Sequence, residues 1–119
     1  MMLMVELMDS KAVQGFIDET NESLQNVETA IIELESTPAD QDLINAIFRP
    51  VHSMKGNSGF FGLLNINKFS HRMENLLDHI RNGEIVPDRK VTNILLTGID
   101  YLRKMLDRVE EDPTDVAFS

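Results

Sequence analysis

The residue types that could do chemistry are concentrated between residues 51 and 62, in the stretch VHSMKGNSGFFG. His52 provides an imidazole, which is a nucleophile through its unprotonated nitrogen, and Lys55 follows about one helical turn later. Three glycines then occur within seven residues, at Gly56, Gly59 and Gly62. Since each glycine weakens a helix by about 1 kcal/mol relative to alanine, we interpret them as serving access. His52 would be an exposed nucleophile whose small neighbours let the active site of another protein approach.

Glu74 is the carboxylate that the sequence predicts to lie beside His52. The two residues lie eleven positions before and eleven positions after Leu63, near the predicted turn between two antiparallel helices, and are therefore level if both flank the same seam. Each also lies about 100° from the apolar stripe of its own helix. A carboxylate that accepts a hydrogen bond from Nδ1–H fixes the tautomer and leaves the Nε2 lone pair free for a phosphoryl group. Lys55 could meet the phosphoryl oxygens as a point charge.

Four amphipathic helices are predicted to position these residues, because apolar residues recur at intervals of three or four. Their predicted ranges are residues 9 or 10 to 36, 38–40 to the turn at 62–65, 65 to 82, and 88 to 110. The connections are short and no strand pattern appears. The predicted fold is therefore all-α, an antiparallel up-down-up-down four-helix bundle that forms a single domain over residues 1–119.

The boundaries of these helices leave several alternatives open. Residues 1–8 are the leading edge of the first helix or a frayed end, and residues 112–119 are a loose tail or a linker to further domains. Either Thr37 or Asp40 caps the second helix. Pro50 lacks an N–H group and crowds the preceding turn, so it predicts a bend one turn before His52.

The apolar stripes define the predicted core. On the first two helices it comprises Val13, Phe16, Thr20, Leu24, Val27, Ile31, Leu34, Ile44, Ile47, Val51, Met54 and Ser58. On the last two it comprises Ile66, Phe69, Met73, Leu76, Leu77, Ile80, Val91, Ile94, Leu95, Gly98, Leu102, Met105, Leu106 and Val109. We assign Phe60 and Phe61 to the end of this core rather than to a recognition patch, with the alternative that one of them lies at the rim of the docking face.

The composition argues against several classes of function. With 20 acidic and 11 basic residues the net charge is −9, and nucleic acid is an unsuitable partner because binding phosphates needs basic side chains. The absence of cysteine excludes disulfides, thiol chemistry and cysteine-bound metals, and it fits a cytoplasmic location. The apolar start of the chain is too short to span a membrane and lacks the features of a signal peptide, so no membrane insertion is expected.

The sequence offers no complete catalytic centre of its own. A di-iron helical bundle needs Glu-x-x-His on two helices, whereas His71 and Glu74 occur once and in reverse order, so no metal site is predicted. No Gly-x-x-x-x-Gly-Lys loop and no carboxylate cluster for magnesium is evident, so ATP and Mg²⁺ would come from partner domains. A hydrolase with His52 as base and Glu74 as orienting group would need a pocket and oxyanion donors, which are not evident either.

Two segments of the chain, FRPVHSMKGNSGFFGL at residues 48–63 and SHRMENLLD at residues 70–78, resemble the histidine phosphotransfer (HPt) family. The resemblance covers the second and third helices strongly and the whole bundle in outline. Within the family, the chain most resembles the N-terminal phosphotransfer domains of CheA-type chemotaxis kinases. Such domains usually have a fifth helix after the bundle, which would begin where this sequence stops. The chain is therefore either an excised domain or a stand-alone phosphotransfer protein.

The resemblance implies a role for each motif residue. It makes His52 the phosphorylated histidine and Glu74 the glutamate that hydrogen-bonds it. Lys55 and His71 match supporting members of the same network, and Gly56 matches the glycine that opens access. The family also implies the partners: an ATP-binding histidine kinase domain phosphorylates the histidine, and the phosphoryl group passes to an aspartate on a response-regulator receiver domain, which supplies magnesium.

The helix face around His52 contains the residues that we predict to dock a partner. We assign partner docking to Asn45, Arg49, Gly56 and Gly59. The alternative from another class of function is a non-catalytic helical adaptor, which binds a signalling partner through this face while His52 is never modified. Spacing alone favours an ordinary solvated helix face over a nucleophile, so the presence or absence of phosphate on histidine decides between the two hypotheses.

Overall fold

The structure of the protein, a computed structural model, describes the backbone of residues 2–111 and the side chains of residues 11–111. Four helices make up this part of the chain: α1 (Met2–Ser36), α2 (Gln41–Phe60), α3 (Leu64–Arg81) and α4 (Arg89–Glu111). The predicted loose tail, residues 112–119, lies outside the described residues.

The four helices pack side by side, and each contacts two neighbours. α1 packs on α2 and α4, and α3 packs on the same two helices from the other side. Short connections of four, three and seven residues join consecutive helices, so neighbours in sequence run antiparallel. The predicted all-α, up-down-up-down four-helix bundle is confirmed, and residues 2–111 contain no strand.

The start of α1 differs from the prediction. The helix begins at Met2, so the expected start at residue 9 or 10 is wrong, and residues 2–8 are its leading edge. Asp9 and Ser10 resemble a cap in the sequence, but they lie inside the helix. The physical reason is that the preceding residues are mostly methionine and leucine, which have high helix propensity, with no glycine or proline to stop the helix there.

α2 starts at an aspartate cap and continues through a proline. Asp40 Oδ1 accepts hydrogen bonds from the backbone N–H groups of Asp42 and Leu43, at 3.0 and 3.2 Å, so Asp40 rather than Thr37 is the cap. Pro50 lies inside the helix, and the helical assignment is unbroken across it. The predicted bend therefore does not interrupt α2, the helix that contains His52.

The core follows the predicted stripes closely on the first two helices. Every residue assigned to the stripes of α1 and α2 is buried, including the polar Thr20 and Ser58. On α3, Ser70 is buried as well, whereas the larger Phe69 and Leu76 are half-buried against the edge of the core. The buried face of α3 is therefore rotated slightly from the face that its apolar residues predicted.

Two residues that were predicted to lie in the core, one aliphatic and one aromatic, are exposed instead. On α4, Ile94 is exposed, because the helix turns Thr92 and Ile99 into the bundle instead. At the end of α2, Phe60 is exposed, whereas Phe61 is half-buried and packs on Phe16 with ring centroids 5.6 Å apart. Successive helical residues differ by about 100° in direction, so only one of two adjacent phenylalanines can face the core.

Candidate functional site

A tight turn between α2 and α3 fixes the relative height of the residues that form the site. Gly62 has φ +73°, a backbone conformation that favours glycine, and it follows the end of α2. The Leu63 N–H donates to the Ser58 carbonyl at 2.9 Å and the Gly62 N–H donates to the Gly59 carbonyl at 3.1 Å, which is the Schellman arrangement. The chain reverses within three residues, so His52 and Glu74 face each other across the seam.

His52, Lys55 and Glu74 form one hydrogen-bonded cluster across that seam. His52 Nδ1 lies 3.0 Å from Glu74 Oε2. Lys55 Nζ lies 3.0 Å from both carboxylate oxygens of Glu74. The His52 side chain is 59% exposed, whereas that of Glu74 is only 16% exposed. The carboxylate is therefore held behind the imidazole, on the side away from solvent.

The ionisation of Glu74 determines which nitrogen of His52 is available. Burial alone raises the pKa of Glu74, but hydrogen bonds from Lys55 and His52, together with their positive charges, outweigh it and lower this pKa below the usual value of 4.5. The carboxylate is thus ionised at neutral pH and acts only as an acceptor. In the neutral form of the His52 ring, the proton therefore lies on Nδ1, which donates a hydrogen bond to Glu74, and Nε2 carries the lone pair.

The backbone of α2 at Lys55 is tied to α3 by Asn67. The Lys55 carbonyl accepts a hydrogen bond from Asn67 Nδ2 at 2.7 Å and another from the Ser58 hydroxyl at 3.1 Å. A Cβ atom at Gly59 would lie only 3.1 Å from Asn67 Nδ2, so this glycine lets the amide approach the helix. Asn67 was not singled out by sequence reasoning, since a polar residue on a helix gives no periodic signal.

The two glycines predicted to serve docking occupy different surroundings. Gly59 lies against the Asn67 side chain, and its absence of a side chain is explained within the bundle. A Cβ atom at Gly56, in contrast, would meet nothing within 4 Å. The space beside Gly56 is open, one turn after His52, as access by a partner requires. Docking at both positions remains a prediction.

An aromatic ring that packs against the edge of the core also contacts His52. Phe48 stacks on the imidazole with ring centroids 5.9 Å apart and an interplanar angle of 10°. The guanidinium carbon of Arg81 lies 4.0 Å from the centroid of the Phe48 ring. The only signal in the sequence is the spacing of four residues between Phe48 and His52, which places them on one helix face.

The other predicted site residues lie nearby without joining the cluster. His71 is exposed, and among residues 11–111 no hydrogen bond or ion pair joins it to His52, Lys55 or Glu74. Arg49 is exposed and Asn45 is half-buried, both before His52 on α2. The structure thus brings together three of the four predicted chemical residues. The supporting role of His71 and the docking roles of Asn45 and Arg49 remain predictions.

Two further features of the described residues bear on function. No grouping of histidine and acidic side chains within the described part of the chain is suited to holding a metal ion. None of the helices, as far as they are described, is both long enough and apolar enough to cross a membrane.

Comparison with known families identifies similar sequences over nearly the whole chain. The profile of the family described as Hpt domain matches residues 11–112. The chemotaxis protein CheA of Salmonella typhimurium is 36% identical over 107 residues, which cover 88% of this chain and 16% of that protein. The sensor histidine kinase CheAY of Helicobacter pylori is 34% identical over 103 residues, which cover 87% of this chain and 13% of that protein. The chain therefore spans less than a fifth of the length of these relatives.

Solved structures show the same architecture. The CheA phosphotransferase domain from Thermotoga maritima superposes with a TM-score of 0.79 at 37% identity, covering 84% of this chain and 95% of that one. The phosphorylated P1 domain of CheA3 from R. sphaeroides, solved in complex with CheY6, has a TM-score of 0.76 at 27% identity and covers 84% of this chain and 78% of that one.

Proposed function

The chain belongs to the Hpt domain family, and from this premise we propose that it is the histidine phosphotransfer module of a chemotaxis-type two-component pathway. His52 would accept a phosphoryl group from an ATP-dependent histidine kinase domain and pass it to an aspartate of a receiver domain. The observation that carries this proposal is the exposed His52 imidazole, whose Nδ1 is held 3.0 Å from an ionised, largely buried Glu74.

In the first transfer, the Nε2 lone pair of His52 attacks the γ-phosphorus of ATP. The Nε2–P bond forms as the bond between the γ-phosphorus and the bridging oxygen breaks, and ADP leaves with that electron pair. The imidazole ring becomes positively charged because its Nδ1 keeps its proton. Glu74 stabilises this charge through the hydrogen bond that it already accepts.

Lys55 has two tasks in this mechanism. Its ammonium neutralises the Glu74 carboxylate, which keeps the pKa of that carboxyl low despite burial. It also lies one turn from His52 and is about a quarter exposed (26%), so it is within reach of the oxygens of an incoming phosphoryl group. Phosphoryl transfer depends chiefly on positioning and on electrostatic stabilisation, and Mg²⁺ and the nucleotide pocket would come from the kinase domain.

In the second transfer, a carboxylate oxygen of the receiver aspartate attacks the phosphorus on His52. The new O–P bond forms as the N–P bond breaks, and the electron pair returns to Nε2. The open space at Gly56 supports the close approach that this step needs. A complex of a phosphorylated P1 domain with CheY6 exists for the R. sphaeroides relative, which supports a receiver domain as partner here. We propose a cytoplasmic location for this chain, which its lack of cysteine fits.

The decisive experiment compares two histidines of the chain. The protein is incubated with a chemotaxis-kinase catalytic domain and radiolabelled ATP, and the label is tested for lability in acid and stability in base. Wild type and the control variant His79→Gln are expected to take up label, because His79 lies outside the cluster. His52→Gln is expected to take up none, with an unchanged circular dichroism spectrum.

Two results would contradict the proposal. Labelling of His52→Gln at the wild-type rate would place the phosphoryl group on another residue. Binding of the kinase domain without any label on wild type would instead support the non-catalytic adaptor.

A further inference from the structure

Three side chains from α2 and α3 form a continuous stack that ends at the candidate nucleophile. The Arg81 guanidinium covers the Phe48 ring at 4.0 Å, and the Phe48 ring is nearly parallel to the His52 imidazole, with an interplanar angle of 10°. Asp78 in turn forms an ion pair with Arg81 at 2.5 Å, one turn earlier on α3. The stack ends on the same imidazole that is hydrogen-bonded to Glu74, but it includes no atom of Glu74.

We propose that Phe48 is a positioning residue for the phosphoryl chemistry, and that Arg81 holds it in place. This proposal rests on the proposed function and deepens it. The Phe48 ring would set the plane of the His52 imidazole, so that Nδ1 stays directed at Glu74 while Nε2 stays directed outward. Phe48 and Arg81 do not contact the phosphoryl group that Nε2 accepts. Both act through the orientation of the His52 ring.

A single hydrogen bond does not define the orientation of an imidazole. The hydrogen bond restrains one atom, whereas the ring can still rotate about χ2, a torsion that for histidine is broad and roughly two-fold. His52 is 59% exposed, so close packing does not enclose its ring. A flat aromatic face on one side restrains the plane, which complements the restraint that Glu74 imposes on Nδ1. In-line attack by Nε2 requires both restraints at once.

The placement of Phe48 distinguishes this role from ordinary packing. Phe48 is half-buried and also touches the core, so a leucine could replace its apolar contacts. A leucine could not replace the flat face on His52 or the ring under the Arg81 cation. Phe48→Leu and Phe48→Tyr therefore separate the two roles, because only tyrosine keeps an aromatic plane. Tyr101 provides a control, since it pairs with Phe69 on the far side of α3 at 5.0 Å.

The test uses four variants of the full chain: Phe48→Leu, Phe48→Tyr, Arg81→Gln and the control Tyr101→Leu. Long-range nitrogen–proton correlation spectra of the isotope-labelled protein report the tautomer of His52, and labelling by the kinase domain reports the rate. Phe48→Leu is expected to mix the two tautomers and to slow labelling about three- to tenfold, the effect of losing one aromatic pair. Arg81→Gln should act in the same direction but less. Phe48→Tyr and Tyr101→Leu should match wild type.

The outcomes separate this proposal from the proposed function. An unchanged His52 tautomer in Phe48→Leu would overturn the positioning role, whether or not the protein takes up label. A Phe48→Tyr variant as impaired as Phe48→Leu would also overturn it, because the aromatic plane would then be irrelevant. A wild-type chain that takes up no label would contradict the proposed function alone, since the tautomer spectra need no phosphoryl transfer.

Discussion

Two histidine–glutamate pairs occur among residues 11–111, and only one of them is suited to phosphoryl chemistry. His52 pairs with Glu74, and His79 pairs with Glu84, in both cases through Nδ1 and a carboxylate oxygen. The two histidines are similarly exposed, at 59% and 56%. The glutamates differ, because Glu74 is 16% exposed and Glu84 is 57% exposed.

The surroundings of the two glutamates explain why the pairs are not equivalent. Glu74 belongs to a helix different from that of His52 and also receives the Lys55 ammonium, so its position and charge are fixed. Glu84 lies just past the end of α3, where its backbone N–H donates to the carbonyl of His79 itself. A local pair on the surface contributes little and is screened by solvent. What distinguishes the site is therefore a supported carboxylate, and the presence of a histidine and a glutamate together is not enough.

The largest expected effect comes from removing the two carboxylates in turn. Glu74→Ala is expected to slow phosphorylation of His52 about 10- to 100-fold, by analogy with the range seen when the carboxylate that supports a metal-ligating histidine is removed. Glu84→Ala is expected to leave the rate unchanged. Initial rates of labelling by a kinase domain measure both. Equal rates for Glu74→Ala and wild type would remove the distinction between the two pairs.

A smaller effect is expected from the glycine next to each pair. Gly56→Ala should raise the free energy of unfolding by about 0.5–1 kcal/mol, because the glycine lies inside a helix with open space around it. The added methyl group should nevertheless slow transfer to a receiver domain. Gly83 has φ +76°, so Gly83→Ala should destabilise the fold by about 1–2 kcal/mol without slowing transfer at temperatures where the protein stays folded.

Urea denaturation measures the free energy of unfolding of each variant, and a single-turnover assay measures the rate of transfer to a receiver domain. Stability and transfer should change in opposite directions at Gly56. If Gly56→Ala gains stability and keeps the wild-type transfer rate, the open space beside His52 is not a docking surface.

The smallest effect is the pH dependence of stability that comes from Glu74. Its pKa is lower in the folded protein than the usual 4.5, so the folded state favours the ionised carboxylate. The stabilisation is complete above the pKa of the unfolded chain and is lost as pH falls through the lower pKa of the folded protein. The stability difference between wild type and Glu74→Gln should therefore be constant near neutral pH and shrink below about pH 5. Urea denaturation at a series of pH values measures it, and a constant difference down to pH 3 or so would contradict a lowered pKa.

The sequence predicts the part of the site that depends on helical geometry. The contact between His52 and Glu74 follows from their equal distance from the turn, and the buried stripes of α1 and α2 follow from the apolar period. These features need only the pitch of a helix and the position of a reversal, and both can be read from residue types.

The features that the sequence did not reveal depend on the direction and reach of single side chains. The stack of Arg81, Phe48 and His52 and the bond from Asn67 to the Lys55 carbonyl need a specific rotamer and a specific distance between helices. Small polar residues add a second difficulty. Ser70 is buried with no hydrogen-bond partner for its hydroxyl among the described residues, and nothing in its residue type indicates this.

The three-residue turn between α2 and α3 has a consequence for transplanting this chemistry. If the turn keeps its form, one residue inserted between it and Glu74 would move Glu74 by one helical position, about 100° around the axis of α3 and about 1.5 Å along it. Glu74 would then point away from His52, and the Nδ1 proton would lose its acceptor. A designer who grafts the site onto another helical hairpin must therefore copy the length of the turn and its glycine as faithfully as the three polar residues.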